Sequence, residues 1–361
     1  MANKLIKVDT NAGSRSFNRF EMQVSQVIHM AIELYDDLNY LLILDHYDDI
    51  TLFDLDAEPL VVSYYQLKTS DGTITIDSAI TENWIAKLYA QLNRPEEWLV
   101  KELGLITNVP LEVKYKITSE KKRMLDRIEN LSAEHTPFSE LNPVVQDRIR
   151  DDIAEKFGIE PEEVDLSRFA HLRTILSVTS HRDLAEKEMS DFLYAKYPKI
   201  TVETVKGIYA AMIELLSRRQ SYETMPENAG FEAAWKHKGV TRNDFNRVID
   251  QAISISIPTY ADVQEYIKPK EEDRARVSLA YVTIATDSNK RGNQSLYELF
   301  RLTQEAIVAA PYDGSKSVWD YCLELSSSIR QNNVLVCAPY DGFYIPVLIT
   351  CLLINEMRRK L

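Results

Sequence analysis

A mixed α/β core followed by a mostly helical chain is the fold the sequence predicts, and three observations predict it. Three short apolar runs follow one another across residues 40–68, and the connections between them are short enough for antiparallel pairing. Segments with helical apolar spacing bracket these runs, over 14–38 before and 81–93 after. Beyond residue 115 helical spacing dominates.

The elements follow in order. Phe20, Val24, Val27, Ile28, Ala31, Ile32 and Leu34 recur at helical intervals, with Ser14 or Ser16 as N-cap. "YLLILD" (40–45) is a continuous apolar run, "ITLFDL" (50–55) a second strand, "DAEP" (56–59) a turn and "LVVSYYQLK" (60–68) a third strand. Thr81 is the expected N-cap of a helix carrying Trp84, Leu88 and Leu92 on one face, long enough to cross over the sheet. Residues 98–113 read as a strand entering a turn at Asn108–Pro110, which closes a core over roughly 13–115.

Further on, "SEKKRMLDRIENL" (119–131) reads as an amphipathic helix. Pro143 and Gly158 mark the start and stop of the next. A strand is expected within 168–178, and helices over 180–197, 201–220 and 241–253, the last capped by Thr241 with Asp244 three residues on. Pro258 and Pro269 flank a charge-rich stretch, so the domain seam is expected near 256, with 1–255 and 256–361 on either side. Ala-Pro-Tyr-Asp-Gly occurs twice, at 310–314 and 338–342; it reads as two similar turns or as a pair of binding loops.

The 361 residues are 45% hydrophobic and 27% charged, the composition of an ordinary globular protein. No run approaches the ~18 apolar residues of a membrane span, and the N-terminus lacks an apolar signal core, so no membrane association and a cytoplasmic location are expected. Cys322, Cys337 and Cys351 are odd in number and lack metal-ligand spacing, as expected of buried free thiols in a reducing compartment. His29, His171 and His181 show no paired-ligand spacing and read as structural or surface residues. A net charge of −13 gives no bulk attraction to nucleic acid or to anionic lipid, so DNA contact would need a local patch or a partner.

One stretch stands apart. In "YYQLKTSDG" (64–72), Gln66 and Lys68 share a face of an otherwise apolar strand. Upstream, "LLILDHYDDI" places Asp45, Asp48 and Asp49 between two strands. An Asp49 carboxylate and a Gln66 carbonyl suit Mg²⁺, a hard cation that takes few protein ligands and keeps several waters. Lys68 beside them suits stabilisation of charge on a phosphoryl group, and together they suit metal-assisted phosphodiester hydrolysis. A solvated hairpin with charged ends is the plainer reading of the same residues.

Four elements in order sharpen this: Ala12-Gly13-Ser14, Arg19-Phe20 with Gln23, Asp48-Asp49-Ile50 and Gln66-Leu67-Lys68. Together they resemble the N-terminal nuclease domain of the CD-NTase-associated double-stranded DNA endonucleases, of the PD-(D/E)xK superfamily. The likeness is strong over 10–115 and looser to about 255, where "KHKGVTRNDFNRVI" has a similar character. It implies an α/β, PD-(D/E)xK restriction-endonuclease-like core with a mixed sheet, then a mostly α-helical elaboration over 116–255 and a helical C-terminal docking or oligomerisation domain over 256–361. The implied activity is that of a Mg²⁺-dependent endodeoxyribonuclease, with Mn²⁺ as an alternative ion.

The generic superfamily has Asp or Glu where Gln66 stands, which removes one charge from the metal shell; the resembled family shares the Gln. Glu21, on the first helix, is the counterpart of a helical acid that joins the metal in many superfamily members, or else a solvent-facing residue. Arg19 is a phosphate contact or an ordinary surface charge. Lys114, Lys116, Lys121, Lys122 and Arg123 form a rail for double-stranded DNA or a solvated face; "WKHK" (235–238) is a weaker patch of the same kind. Cyclic-oligonucleotide sensors of the family carry a large C-terminal domain, for which 256–361 is too short and too helical. The chain is more similar to the nuclease subunit of Lamassu-type anti-phage complexes. That implies an SMC-like or translocase ATPase partner, a homo-oligomer, and an effector held inactive until assembly or release. The alternative is a catalytically silent, nuclease-like scaffold subunit.

Overall fold

The computed structural model describes residues 12–118, 124–198, 200–226, 230–255, 257–288 and 294–359. The chain divides into two compact units. The first runs up to Pro198 and takes in Tyr209–Asn246; the second holds the rest, from Arg247 on, with the short segment before Tyr209. The seam expected at 256 therefore falls inside the second unit.

The first unit is a mixed α/β structure. Its helices and strands begin with α1 (Ala12–Glu33), β1 (Tyr40–Leu44), β2 (Ile50–Asp54), β3 (Val61–Lys68), β4 (Ile74–Thr75), α2 (Ile76–Thr81), α3 (Trp84–Ala90), β5 (Leu99–Thr107) and β6 (Leu111–Thr118). They continue with β7 (Met124–Leu131), β8 (His135–Pro137), α4 (Pro143–Phe157), β9 (Phe169–Arg173), α5 (His181–Lys196), α6 (Val202–Gln220), α7 (Phe231–Lys238), β10 (Gly239–Thr241) and α8 (Arg242–Ile255), of which α6 and α8 each belong partly to the second unit.

Seven strands form one sheet in the order β10-β1-β2-β3-β5-β9-β8. The short connections make β1–β2 and β2–β3 antiparallel, with Ile50 opposite Tyr65. The α2–α3 crossover makes β3 and β5 parallel, Gln66 opposite Leu105 and Lys68 opposite Thr107. β9 adds to β5 in parallel and β10 to β1 antiparallel. The sheet thus recruits strands from 169–173 and 239–241, far beyond the expected core boundary at 115.

Alternation sorts the two faces. Leu41, Ile43, Phe53, Val62, Tyr64, Leu103 and Leu105 join one core with Ile85 and Leu88 of α3 and Val145, Ile149 and Ile153 of α4. α4 has the expected ends: Asn142 accepts from Val144 N at 3.1 Å, Pro143 opens the helix, and Gly158 closes it at φ 66°. Thr241 and Asp244 cap α8 reciprocally, Thr241 Oγ1 accepting from Asp244 N at 3.0 Å and Thr241 N donating to the Asp244 carboxylate at 3.0 Å.

Two local expectations are corrected. Thr81 ends α2 instead of capping the next helix; Thr75 caps α2, accepting from Ser78 N at 3.0 Å, and α3 starts at Trp84. Residues 124–131 are not helical. They form β7, antiparallel to β6 across eight registered pairs from Leu111↔Leu131 to Thr118↔Met124. Almost all of β7 is exposed, so pairing with β6 fixes its state and overrides the helical spacing. With β4 these strands make a second, three-stranded sheet.

The second unit is helical, with α9 (Tyr260–Tyr266), α10 (Arg274–Ser288), α11 (Gln294–Ala309), α12 (Val318–Asn332), α13 (Val334–Cys337) and α14 (Tyr344–Arg359). α14 is buried on all sides from Tyr344 to Asn355, and α9, α10, α11 and α12 pack on it. Cys322, Cys337 and Cys351 are free and buried. The two Ala-Pro-Tyr-Asp-Gly segments are turns ahead of α12 and α14. Asp313 accepts from Ser315 N at 2.9 Å, and Asp341 accepts from Phe343 N and Tyr344 N at 2.8 Å. Among the described residues no helix is long and apolar enough to cross a membrane.

Gly104 tests the sheet packing. A Cβ there would lie 2.8 Å from Leu172 Cδ1 and closer still to the Tyr65 ring. Gly104→Ala is expected to destabilise the chain by about 1–3 kcal/mol, read as a lower urea midpoint.

Candidate active site

The β1–β2 hairpin and the end of β3 meet at one point. Asp45 N donates to Asp49 O at 3.1 Å, closing the hairpin loop that carries Asp45, Asp48 and Asp49. Continuing the β2–β3 register one step past Ile50↔Tyr65 sets Asp49 opposite Gln66. The Asp49 carboxylate reaches across: Oδ2 accepts from Leu67 N at 2.8 Å and stands 3.4 Å from Lys68 Nζ. Both side chains are about three-quarters buried. Lys68 also lies over the Trp84 ring, 5.6 Å from its centroid, so α3 helps to hold the ammonium.

Gln66 shares the Lys68 face of β3 and is 3% exposed. Among the described residues its Oε1 has no hydrogen-bond partner, and neither has the buried Thr51 Oγ1 on the neighbouring strand. A buried acceptor left unpaired costs roughly 1–3 kcal/mol. Asp49, Lys68, Trp84, Asp45 and Arg19 line a cavity of about 550 Å³ between α1, β3 and α3. Gln66 lies outside that lining.

The neighbouring acids differ from one another. Asp48 accepts from Asp49 N at 2.9 Å and from Gln91 Nε2 at 3.3 Å. Burial pushes its carboxyl up to about 7, against these hydrogen bonds. Asp45 is also raised by burial, with Lys238 opposing.

Asp49 and Lys68 are therefore brought together, with Gln66 beside Lys68 on the strand. Arg19 is exposed on the cavity wall. Glu21 is placed elsewhere: its carboxylate pairs with Arg182 of α5, and it lines a separate cavity of about 680 Å³ with Lys238 and Tyr222. Lys114 and Lys116 stand on β6, paired with Glu112 at 2.7 Å and Asp126 at 4.0 Å, so neither is a bare cation. Lys121, Lys122 and Arg123 lie outside the described residues. Within "WKHK", Lys238 is 7% exposed and not a surface charge. Sequence reasoning took Trp84 only as part of a helix face and passed over Gln91, whose only signal is its place on the crossover that follows β3.

Among the described residues no group of three or more His, Cys, Asp and Glu could hold a metal ion. Any ion at this site would rest on one or two carboxylates and a neutral oxygen, a donor set that fits Mg²⁺ and does not fit Zn²⁺.

No family model matches the chain. It is 24% identical over 308 residues to the Lamassu protein LmuA of Bacillus cereus (strain VD014), and the match covers 82% of each chain. Among solved structures it is similar to the Cap4 SAVED/CARF-domain containing receptor of Acinetobacter baumannii with the cyclic trinucleotide 3'3'3'-cAAA. That likeness has a TM-score of 0.38 and 12% identity over 86% of this chain, which spans 64% of the receptor's length. The Moraxella osloensis Cap4 receptor gives a TM-score of 0.36 and 12% identity over 79% of this chain and 66% of that one.

The histidines have structural places. His181 bonds Ser25 at 2.9 Å, and His29 faces Glu188 at 3.0 Å. His171, fully buried, bonds Thr107 Oγ1 at 2.8 Å; that hydroxyl donates to Val109 O, so His171 Nε2 is the donor. Burial, with Arg173 and His135 adding, pushes His171 down to about 4. The folded state then holds a neutral ring while the unfolded chain takes up a proton below about 6.5. This stability is full above pH 6.5 and is lost as pH falls towards 4. In urea titrations, wild type is expected to lose about 2–3 kcal/mol more than His171→Gln across that window.

Proposed function

We propose that this chain is a metal-dependent double-stranded DNA endonuclease, built on a PD-(D/E)xK-like core and serving as the effector of a bacterial anti-phage defence system. One observation carries the reading: the Asp49 carboxylate meets the Lys68 ammonium beside a cavity, at the end of the strand that also carries the buried, unpartnered Gln66 carbonyl. The likeness to LmuA over four-fifths of both chains supports the defence role.

Asp49 and Gln66 would hold Mg²⁺, which supplies charge neutralisation at phosphate and a bound water of lowered pKa. Lys68 balances the charge that builds on the phosphoryl oxygens, and Trp84 keeps its ammonium in place. The Leu67 amide fixes one Asp49 oxygen, which leaves the other free for an ion. Lys114 and Lys116 are the candidates for DNA-backbone contact, after exchange of Glu112 and Asp126 for phosphate. The net charge of −13 suits an effector that ignores DNA until a partner delivers it. The likeness to a Lamassu protein supports a multi-subunit defence complex; the reading adds an SMC-like or translocase ATPase as the partner and a homo-oligomer, since cutting both strands calls for two sites.

Purified chain, alone and with the products of neighbouring genes, is to be incubated with plasmid and Mg²⁺. Cleavage in either setting that EDTA abolishes is expected, with a loss of at least about 10²-fold in Lys68→Ala at unchanged Tm. Full cleavage by Lys68→Ala would remove Lys68 from the site. No cleavage by wild type in any setting would favour the silent scaffold.

A further inference from the structure

Lys238 closes α7 directly before β10 and is 7% exposed. Among the described residues its ammonium does not meet a carboxylate by hydrogen bond. Nζ donates to two main-chain carbonyls, Asp45 O at 2.9 Å and Gln220 O at 3.2 Å. Burying an ammonium against neutral acceptors is costly, and apolar packing would serve a fold better. Burial accordingly lowers its pKa, with Asp45 and Glu223 opposing.

The acceptor is unusual too. Asp45 sits at φ 52°, a left-handed conformation that costs a non-glycine residue about 1–2 kcal/mol. Strain of this kind persists only where neighbours hold it. Asp45 opens the loop that ends at Asp49 and donates to Asp49 O across it. β10 pairs with β1 through Ile43↔Gly239, which brings Lys238 to the Asp45 end of that strand. Gln220, the second anchor, donates through its side chain to Gln23, which lines the cavity holding Asp49 and Lys68. A buried polar chain thus runs from α7 to both walls of the candidate site.

We propose that Lys238 is a positioning residue: by holding the Asp45 carbonyl it fixes the Asp45–Asp49 loop and sets where the Asp49 carboxylate stands. The inference rests on the role assigned to Asp49 above.

The test uses the full chain with Lys238→Met and Lys238→Arg. Three quantities are read: hydrogen exchange at the Leu67 amide, Mn²⁺ affinity by calorimetry, and plasmid-cleavage kcat and KM. Lys238→Met is expected to speed Leu67 exchange, to weaken Mn²⁺ binding by about 10–100-fold and to lower kcat with KM held. Lys238→Arg, which keeps the donors, is expected to recover exchange and Mn²⁺ binding. Folded Lys238→Met with wild-type exchange and Mn²⁺ affinity overturns the proposal, as does equal loss in both variants, which marks a packing defect. Should Lys238→Met fail to fold, Lys238→Gln, which keeps a donor for one carbonyl, is measured in its place. A wild type that cuts no DNA defeats the nuclease reading alone, because Leu67 exchange still decides the role of Lys238.

Discussion

The Asp49 carboxylate spans a gap that the backbone leaves open. β2 ends its ladder with β3 at Ile50↔Tyr65, while β3 runs on to Lys68 beside β5. Asp49 crosses to Leu67 N and Lys68 Nζ, so one side chain ties the mouth of the β1–β2 hairpin to the free end of β3. Two charges and a backbone donor are thereby held at the edge of an apolar core. Partial burial makes their interaction stronger than it would be on an open surface.

The sheet around this tie gives it a rigid frame. Tyr64 and Val62, on the Gln66 face of β3, are buried against α3 and α4. β5 flanks Gln66 and Lys68 through Leu105 and Thr107, and α3 places Trp84 over Lys68. Among the described residues, Gln66 Oε1 of β3 and Thr51 Oγ1 of β2 are two of the buried polar atoms without a hydrogen-bond partner. A buried acceptor left without a partner on the strand that ends at Lys68 is a reason to look for a bound cation.

Local patterning made the centre of the first unit readable. Continuous apolar runs and short turns specify β1, β2 and β3, and strict alternation puts Gln66 and Lys68 on one face whatever surrounds them. Patterning failed where distant partners decide. β7 has helical spacing, yet its backbone is claimed by β6, and its side chains are too exposed to signal either state. Glu21 reads as a helical acid of the site because Arg182, which holds it, is far along the chain. Lys238 reads as part of a surface patch because its acceptors, Asp45 O and Gln220 O, are main-chain atoms without a sequence signature. The placement of Asp49, Gln66 and Lys68 at the ends of neighbouring strands was legible through strand geometry; the contacts from α3, α6 and α7 were not.

On the proposed reading, Asp49 and Gln66 share one divalent cation beside Lys68. Crystals grown with Mn²⁺ are then expected to give an anomalous-scattering peak within coordination distance of an Asp49 carboxylate oxygen and of Gln66 Oε1. A Mn²⁺ peak bound elsewhere on the chain, with Gln66 Oε1 still unpartnered at saturating Mn²⁺, would contradict it.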